Sequence, residues 1–279
     1  MLIKHLMLIK CYGEDMTTRP KALITGASSG IGAAFALTFA ERGYDLVLLA
    51  RRLDRLEEVA ADAGRRGASV ETFVTDLSSS DGLAAAAERA ATGDVDLLIS
   101  NAGASGYAPL RDVSAADLDT LWRLNSTAPV TLAHAVLPSL LAKGRGNIVT
   151  VASLLAFSAG VAAPGMPART LYAAAKSATV AFTRTLANEL AGTGIHATVV
   201  CPGLVATEWS GGANRNRPGA MSAEDVATAT AVAVARGEAI CVPGLSEPDA
   251  LDQLQQAERT LLAAAGQSTL AERYATASS

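Results

Sequence analysis

From Lys21 onward the sequence alternates short runs of β-branched and aliphatic residues with longer alanine-rich stretches of helical period. Such alternation leaves a chain little choice but repeated βαβ units around a parallel sheet. The runs at 22–25, 45–49, 69–74, 95–100, 147–151 and 196–200 are predicted strands, with a seventh at 239–242. Helices are predicted over 30–42, 54–64, 80–91, 114–141, 172–191, 222–236 and 249–265. Near-continuous apolar runs mean strands buried on both faces, so helices must cover the sheet from both sides in a doubly wound α/β fold. Two caps are visible: Ser114 with Asp117, and Ser222 with Asp225, can each satisfy orphan N–H groups at a helix start.

With 279 residues, half of them apolar, the chain can bury a large core, and a single domain over 16–279 is expected. Met16 stands directly ahead of the first strand, so residues 1–15 read as an extension from an upstream start. The segment 1–10 is interrupted by Lys4, His5 and Lys10, which fits neither a membrane span nor a signal peptide. A net charge of −4 without any Lys/Arg-rich run argues against nucleic-acid or membrane-surface partners. Cys11, Cys201 and Cys241 lack the short spacing of metal or redox motifs, which points to a reduced, cytoplasmic setting. No metal site is expected. The stretch 208–220, rich in Gly, Asn and Arg, reads as a surface loop or lid.

The first strand runs through Thr25-Gly26-Ala27-Ser28-Ser29-Gly30-Ile31-Gly32 into a helix. A glycine-rich turn at a helix N-terminus is a phosphate cradle, because exposed N–H groups and the helix dipole both favour an anion. Gly26 suits the tight turn, Gly30 admits a pyrophosphate to the backbone, and Gly32 lets the helix pack on the strand, with the Ser28 and Ser29 hydroxyls as added donors. This makes the fold Rossmann-like. At the end of strand two, where an NAD-specific chain places a carboxylate, stand Arg51 and Arg52. Their guanidinium forks suit a 2′-phosphate, so NADP(H) is the expected cofactor, with Arg55 a further helper.

Tyr172 and Lys176 lie four residues apart and share one helix face. A cation about 4 Å from a phenol, at an effective dielectric near 20, favours the phenolate by roughly 4 kcal/mol. That would bring a tyrosine toward acid/base service near neutrality.

Taken in order, these motifs resemble the short-chain dehydrogenase/reductase family, in its compact single-domain branch, over about residues 20–242. To the turn and the Tyr/Lys pair are added Asp76-Leu77, Asn101-Ala102-Gly103, Asn125, Ser153, and Pro202-Gly203 with Val205 and Thr207. The resemblance implies a sheet of about seven strands and hydride transfer between NADP(H) and a carbonyl or alcohol. It gives Tyr172 the proton exchange with the substrate oxygen, Ser153 a hydrogen bond to that oxygen, and Lys176 the nicotinamide ribose. Asn125 would hold a relay water, Asp76 with Leu77 would meet adenine, and Asn101 to Gly103 would line the cofactor. Pro202, Gly203, Val205 and Thr207 would face the carboxamide. A homodimer or homotetramer built on 114–141 and 172–191 is implied as well.

One spacing departs from the pattern. Ser153 precedes Tyr172 by nineteen residues, where the family usually leaves about a dozen, so an insertion is expected and Ser158 competes with Ser153. Ser153 is preferred because it directly follows the fifth strand. The inserted stretch, with Leu154, Leu155, Phe157, Val161 and Met166, points to an apolar substrate or, equally, to a covered core or subunit contact. His134 reads as a packed or interface residue and Cys201 as a buried apolar one. A rival reading of the whole chain is a catalytically idle NADP(H)-binding sensor or scaffold.

Overall fold

The computed structural model describes residues 19–161, 166–212, 214–247 and 249–274. The expected extension over 1–15 lies outside these residues. Seven parallel strands form one sheet in the order β3-β2-β1-β4-β5-β6-β7. They are β1 (Lys21–Thr25), β2 (Asp45–Ala50), β3 (Val70–Val74), β4 (Leu97–Ser100), β5 (Gly146–Val151), β6 (Ile195–Val200) and β7 (Ile240–Cys241). This is the Rossmann-like doubly wound fold the sequence predicts, the seventh strand included.

Alternate residues of each strand feed two cores, as a strand period of two requires. Ala22, Ile24, Leu46, Leu48, Leu97 and Ile99 pack with helices α1 (Gly30–Glu41), α2 (Leu53–Arg65) and α7 (Ala223–Arg236), around Phe35, Phe39, Leu56 and Val226. Leu23, Val47, Leu49, Leu98 and Ile148 face the other way. There they meet α3 (Ser80–Ala90), α5 (Ala128–Lys143) and α6 (Thr170–Glu189) through Leu83, Leu132, Val136, Leu140 and Leu186. Both predicted caps form: Ser114 Oγ accepts from Asp117 N at 3.1 Å and Ser222 Oγ from Asp225 N at 3.0 Å.

The helix predicted over 114–141 is broken. It consists of α4 (Ala115–Trp122), a π turn (Arg123–Thr127) and α5. A single wide turn inside an otherwise α-helical run is invisible to a pattern read at one period, and such turns gather at functional sites. Here it carries Asn125.

The chain separates into two compact units, the first ending at Pro243. The second, from Gly244, holds the helix α8 (Asp249–Leu262) and two short 3₁₀ turns, with no buried residue in any of them. Among the described residues no helix is long and apolar enough to cross a membrane.

Strand order reverses between β1 and β4, and at that switch point the ends of two parallel strands splay into a crevice. Gly26 and Gly30 take the left-handed backbone (φ 67° and 56°) that shapes the turn beside it. Gly32 serves the packing: a Cβ there would collide with the Gly26 carbonyl oxygen and stand 2.7 Å from Asn101 Nδ2. Gly32→Ala is therefore expected to cost roughly 2–4 kcal/mol, read as a lower midpoint in denaturant unfolding.

Candidate active site

The crevice opens into a cavity of about 800 Å³ whose floor is the carboxyl end of the sheet. Its lining includes Gly26, Ser28, Ser29, Gly30 and Ile31 from the first turn, and Arg51 and Arg52 after β2. Asp76 and Leu77 after β3, Asn101, Ala102 and Gly103 after β4, and Ser153 after β5 join them. Tyr172 and Lys176 from α6, and Pro202, Gly203, Val205 and Thr207 after β6, also line it. Three candidates stand outside the lining: Gly32, which packs behind the turn, Asn125, and Ser158.

At one end, Arg52 Nη2 donates to Ser28 Oγ (3.1 Å) and Ser29 Oγ (3.0 Å), which draws a guanidinium onto the glycine-rich turn. Arg51 acts on Asp76, whose carboxyl is held below its usual range first by the Ser78 hydroxyl and backbone N–H and then by the Arg51 charge. Arg55, the expected helper, is instead paired with Glu58 at 3.4 Å. Two arginines, two hydroxyls and a helix N-terminus give this end the chemistry to hold an anion. The glycines leave room for the anion, since a Cβ at Gly30 would press on Thr207 across the cavity at 3.3 Å.

At the other end, Tyr172 is only 5 % exposed and Lys176 only 3 %. Ser153 caps a 3₁₀ turn (Leu154–Phe157), its Oγ accepting from Leu155 N at 3.1 Å, and its hydroxyl favours the ionised form of the Tyr172 phenol. Ser158 is committed elsewhere: it donates to Leu155 O (2.7 Å) and accepts from Arg169 Nε (2.8 Å). Lys176 Nζ donates to Val151 O at 2.8 Å and stands 5.8 Å from the Tyr172 ring centroid. Asn125 spends both amide atoms on Ala104, donating to its O (2.9 Å) and accepting from its N (3.3 Å). Its own carbonyl accepts from Thr179 Oγ1 at 2.6 Å. Gly103 makes this approach possible, because a Cβ there would lie 2.6 Å from Asn125 Oδ1.

The electrostatics run against the simple expectation for the pair. Burial pushes the Tyr172 phenol well above its ordinary value, reinforced by Tyr107 and opposed only by the Ser153 hydroxyl. Lys176 is pushed down to about 8, again by burial. In this structure desolvation outweighs the attraction between the two, because the lysine turns its charge toward the Val151 carbonyl rather than the phenol.

Two cavity residues carried no sequence signal. Tyr107, in the loop after β4, sets its ring 5.2 Å from that of Tyr172. Trp209, in the loop after β6, packs on the same cluster as Tyr172 and Leu121. A tyrosine among glycines and a tryptophan in a polar loop form no pattern, and only the fold brings them together. The expected lid is tied at its base by a bridge between Val205 and Met221. Cys201 is buried, as expected, whereas His134 is exposed. Among the described residues no three His, Cys, Asp or Glu side chains gather as for a metal.

Comparison with known proteins agrees with this geometry. The sequence model for short chain dehydrogenase matches residues 20–218. The chain is 36% identical to 1-deoxy-11-beta-hydroxypentalenate dehydrogenase of Streptomyces exfoliatus, over 74% of this chain and 76% of the relative. In structure it is similar to the bulky-bulky ketone specific alcohol dehydrogenase of Comamonas testosteroni (TM-score 0.84, 30% identity, 93% of this chain and 100% of that one). It is equally similar to a short-chain dehydrogenase of Sphingobium yanoikuyae in complex with NADPH (TM-score 0.84, 35% identity, 91% and 100%).

A buried ammonium makes a stability prediction. The ordinary value for Lys176 is 10.5 and its folded value about 8, so the unfolded chain binds more protons between them and native stability rises with pH across that window. Below pH 8 the native state carries the full cost of burying the charge. Lys176→Met is expected to stabilise the protein at pH 7 by roughly 1–3 kcal/mol, with the gain shrinking as pH rises toward 10.5, measured by thermal unfolding over pH 6–10.

Proposed function

Because the chain belongs to the short-chain dehydrogenase/reductase family, we propose that it interconverts carbonyl compounds and alcohols with NADP(H) as cofactor. One observation carries the reading: a single cavity is lined at one end by Arg51 and Arg52 beside the glycine-rich turn and at the other by Ser153, Lys176 and the buried Tyr172. The residues present fit the cofactor. Arg51 and Arg52 would hold the 2′-phosphate, and the Ser28, Ser29 and Gly30 region of the turn the pyrophosphate. Asp76 and Leu77 would flank adenine, and Asn101 to Gly103 would line the middle. Pro202, Gly203, Val205 and Thr207 would face the carboxamide.

When bound, NADP(H) supplies the hydride donor or acceptor. The chain supplies the proton and the orientation. In the reducing direction Tyr172 gives its phenolic proton to the substrate oxygen while Ser153 donates a hydrogen bond to the same oxygen. Lys176 has its ammonium at hand to bind the nicotinamide ribose and, drawn from Val151 O toward the site, to stabilise the phenolate left behind. Asn125 acts from behind by fixing Ala104, and with it the Gly103 backbone beside Lys176. The NADPH complex of the Sphingobium relative supports the choice of cofactor. The exposed Leu118, Trp122, Val130 and Leu141 on α4 and α5 support a homo-oligomer on that face.

Two measurements test this. Tyr172→Phe is expected to lower NADPH-dependent turnover of any accepted carbonyl by about 10²–10⁴ while leaving NADPH binding intact. Turnover within a few-fold of wild type would sink the mechanism, and NADPH binding by a wild type that turns over no carbonyl or alcohol would favour the idle sensor. Paired Arg51→Ala and Arg52→Ala changes should raise the KM for NADPH roughly 10- to 100-fold and leave that for NADH within a few-fold.

A further inference from the structure

A buried threonine in a helix commonly gives its hydroxyl to the carbonyl four residues back. Thr183 Oγ1 donates in this way to Thr179 O at 2.9 Å, and Thr230 Oγ1 to Val226 O at 2.8 Å. Thr179, on α6 three residues after Lys176, departs from the rule. Its short bond, 2.6 Å, leaves the helix for Asn125 O in the π turn, while Ala175 O, the ordinary partner, stands at 3.2 Å. Ser126, the next residue of the π turn, donates to that same Ala175 O at 3.2 Å. The two elements are thus joined in both directions. Asn125, Ser126, Ala175 and Thr179 are all buried, so a carbonyl that lost its donor here would have no ready replacement in water.

Followed onward, these contacts return to where they began. Asn125 holds Ala104 through both of its amide atoms, at 2.9 and 3.3 Å. Gly103, next to Ala104, approaches Lys176 so closely that a Cβ there would stand 3.5 Å from Lys176 Nζ. The circuit runs from Ala175 and Thr179 through Asn125, Ala104 and Gly103, and it closes on the ammonium of the lysine that lies between the first two. We propose that Thr179 is a positioning residue for the reaction: by bracing the π turn against α6 it sets the spacing between Lys176 and the Gly103–Ala104 backbone. Gly103, Ala104 and Lys176 all line the cofactor cavity, and Thr179 does not. The inference rests on the proposed carbonyl reduction and adds to it a residue that acts only through others. A hydroxyl that served the core alone would bond as Thr230 does, within its own helix.

The test compares Thr179→Val, which keeps the shape and removes the donor, with Thr179→Ser, which keeps the donor. The first readout needs no turnover: amide hydrogen exchange in the full-length protein, resolved at Ala104. Thr179→Val is expected to speed exchange of that amide by about tenfold while β1 and β2 exchange as in wild type, and Thr179→Ser to return it to within about twofold. The second readout is kinetic. Thr179→Val should raise the Kd for NADPH about fivefold and lower kcat for carbonyl reduction about tenfold, whereas a smaller folded fraction would lower kcat and leave Kd in place. Thr230→Val removes an equally buried hydroxyl and should change neither Ala104 exchange nor NADPH affinity. If Thr179→Val does not fold, Ser126→Ala removes the longer bond of the brace and should show both effects at about threefold. A wild type that turns over no carbonyl or alcohol overturns the proposed function and this proposal with it. Turnover by wild type, with Ala104 exchange and NADPH affinity unchanged in these variants or with exchange sped equally along the whole chain, overturns this proposal alone.

Discussion

The cavity depends on a clasp between the ends of two neighbouring strands. Thr25 Oγ1, at the end of β1, accepts from the backbone N–H of both Asn101 and Ala102 at 2.9 Å, and Asn101 Nδ2 returns the bond to Thr25 O at 2.9 Å. Two strands that part company at a switch point leave N–H and C=O groups without ladder partners. The clasp satisfies them with side chains and fixes the separation of the two loops. Gly26 and Gly32 then allow the first turn to lie directly against Asn101. The anion site is thereby referenced to β4, whose following loop carries Gly103 and Tyr107 to the other end of the cavity.

At that other end, burial rather than charge pairing sets the resting state. Desolvation penalises a phenolate and an ammonium alike, so it raises Tyr172 and lowers Lys176, and it is the largest influence on each. A protonated tyrosine suits the proposed carbonyl reduction, in which it would give up a proton. In the proposed mechanism the oxidising direction would need the phenolate, and with it the Lys176 charge brought closer than Val151 O holds it. The same residue pair can thus serve both directions only if the lysine changes partner.

The fold was legible because period is a property of the whole chain. Strand runs around Leu23, Val47, Leu98 and Ile148 have side chains that must be buried on alternating faces, and no local detail alters that. The places of Gly26 and Ser28 were legible because the turn follows from its glycines, and those of Arg52 and Asn101 because each directly follows a predicted strand. The π turn at Asn125 was not, since one extra residue in a helical turn leaves the composition unchanged. Tyr107 and Trp209 lie more than a hundred residues apart in sequence and meet only because β4 and β6 end on the same side of the sheet.

The long separation between Ser153 and Tyr172 shows how sequence distance and spatial distance come apart. Ser153 leaves β5 directly, and Leu154 N is tied to Pro202 O at 2.9 Å, so the sheet fixes the serine's place whatever the length of the connection to α6. Beyond the 3₁₀ turn one side chain ties together described residues from both parts of this connection. Arg169 donates to Ser158 Oγ, Ser158 O, Val161 O and Pro167 O, within 2.8 to 3.3 Å, from a position three residues ahead of Tyr172. A planar guanidinium with five donors can gather several acceptors that no shorter side chain could span. Arg169 thus anchors Ser158 and Val161 at the start of α6, the helix that carries Tyr172.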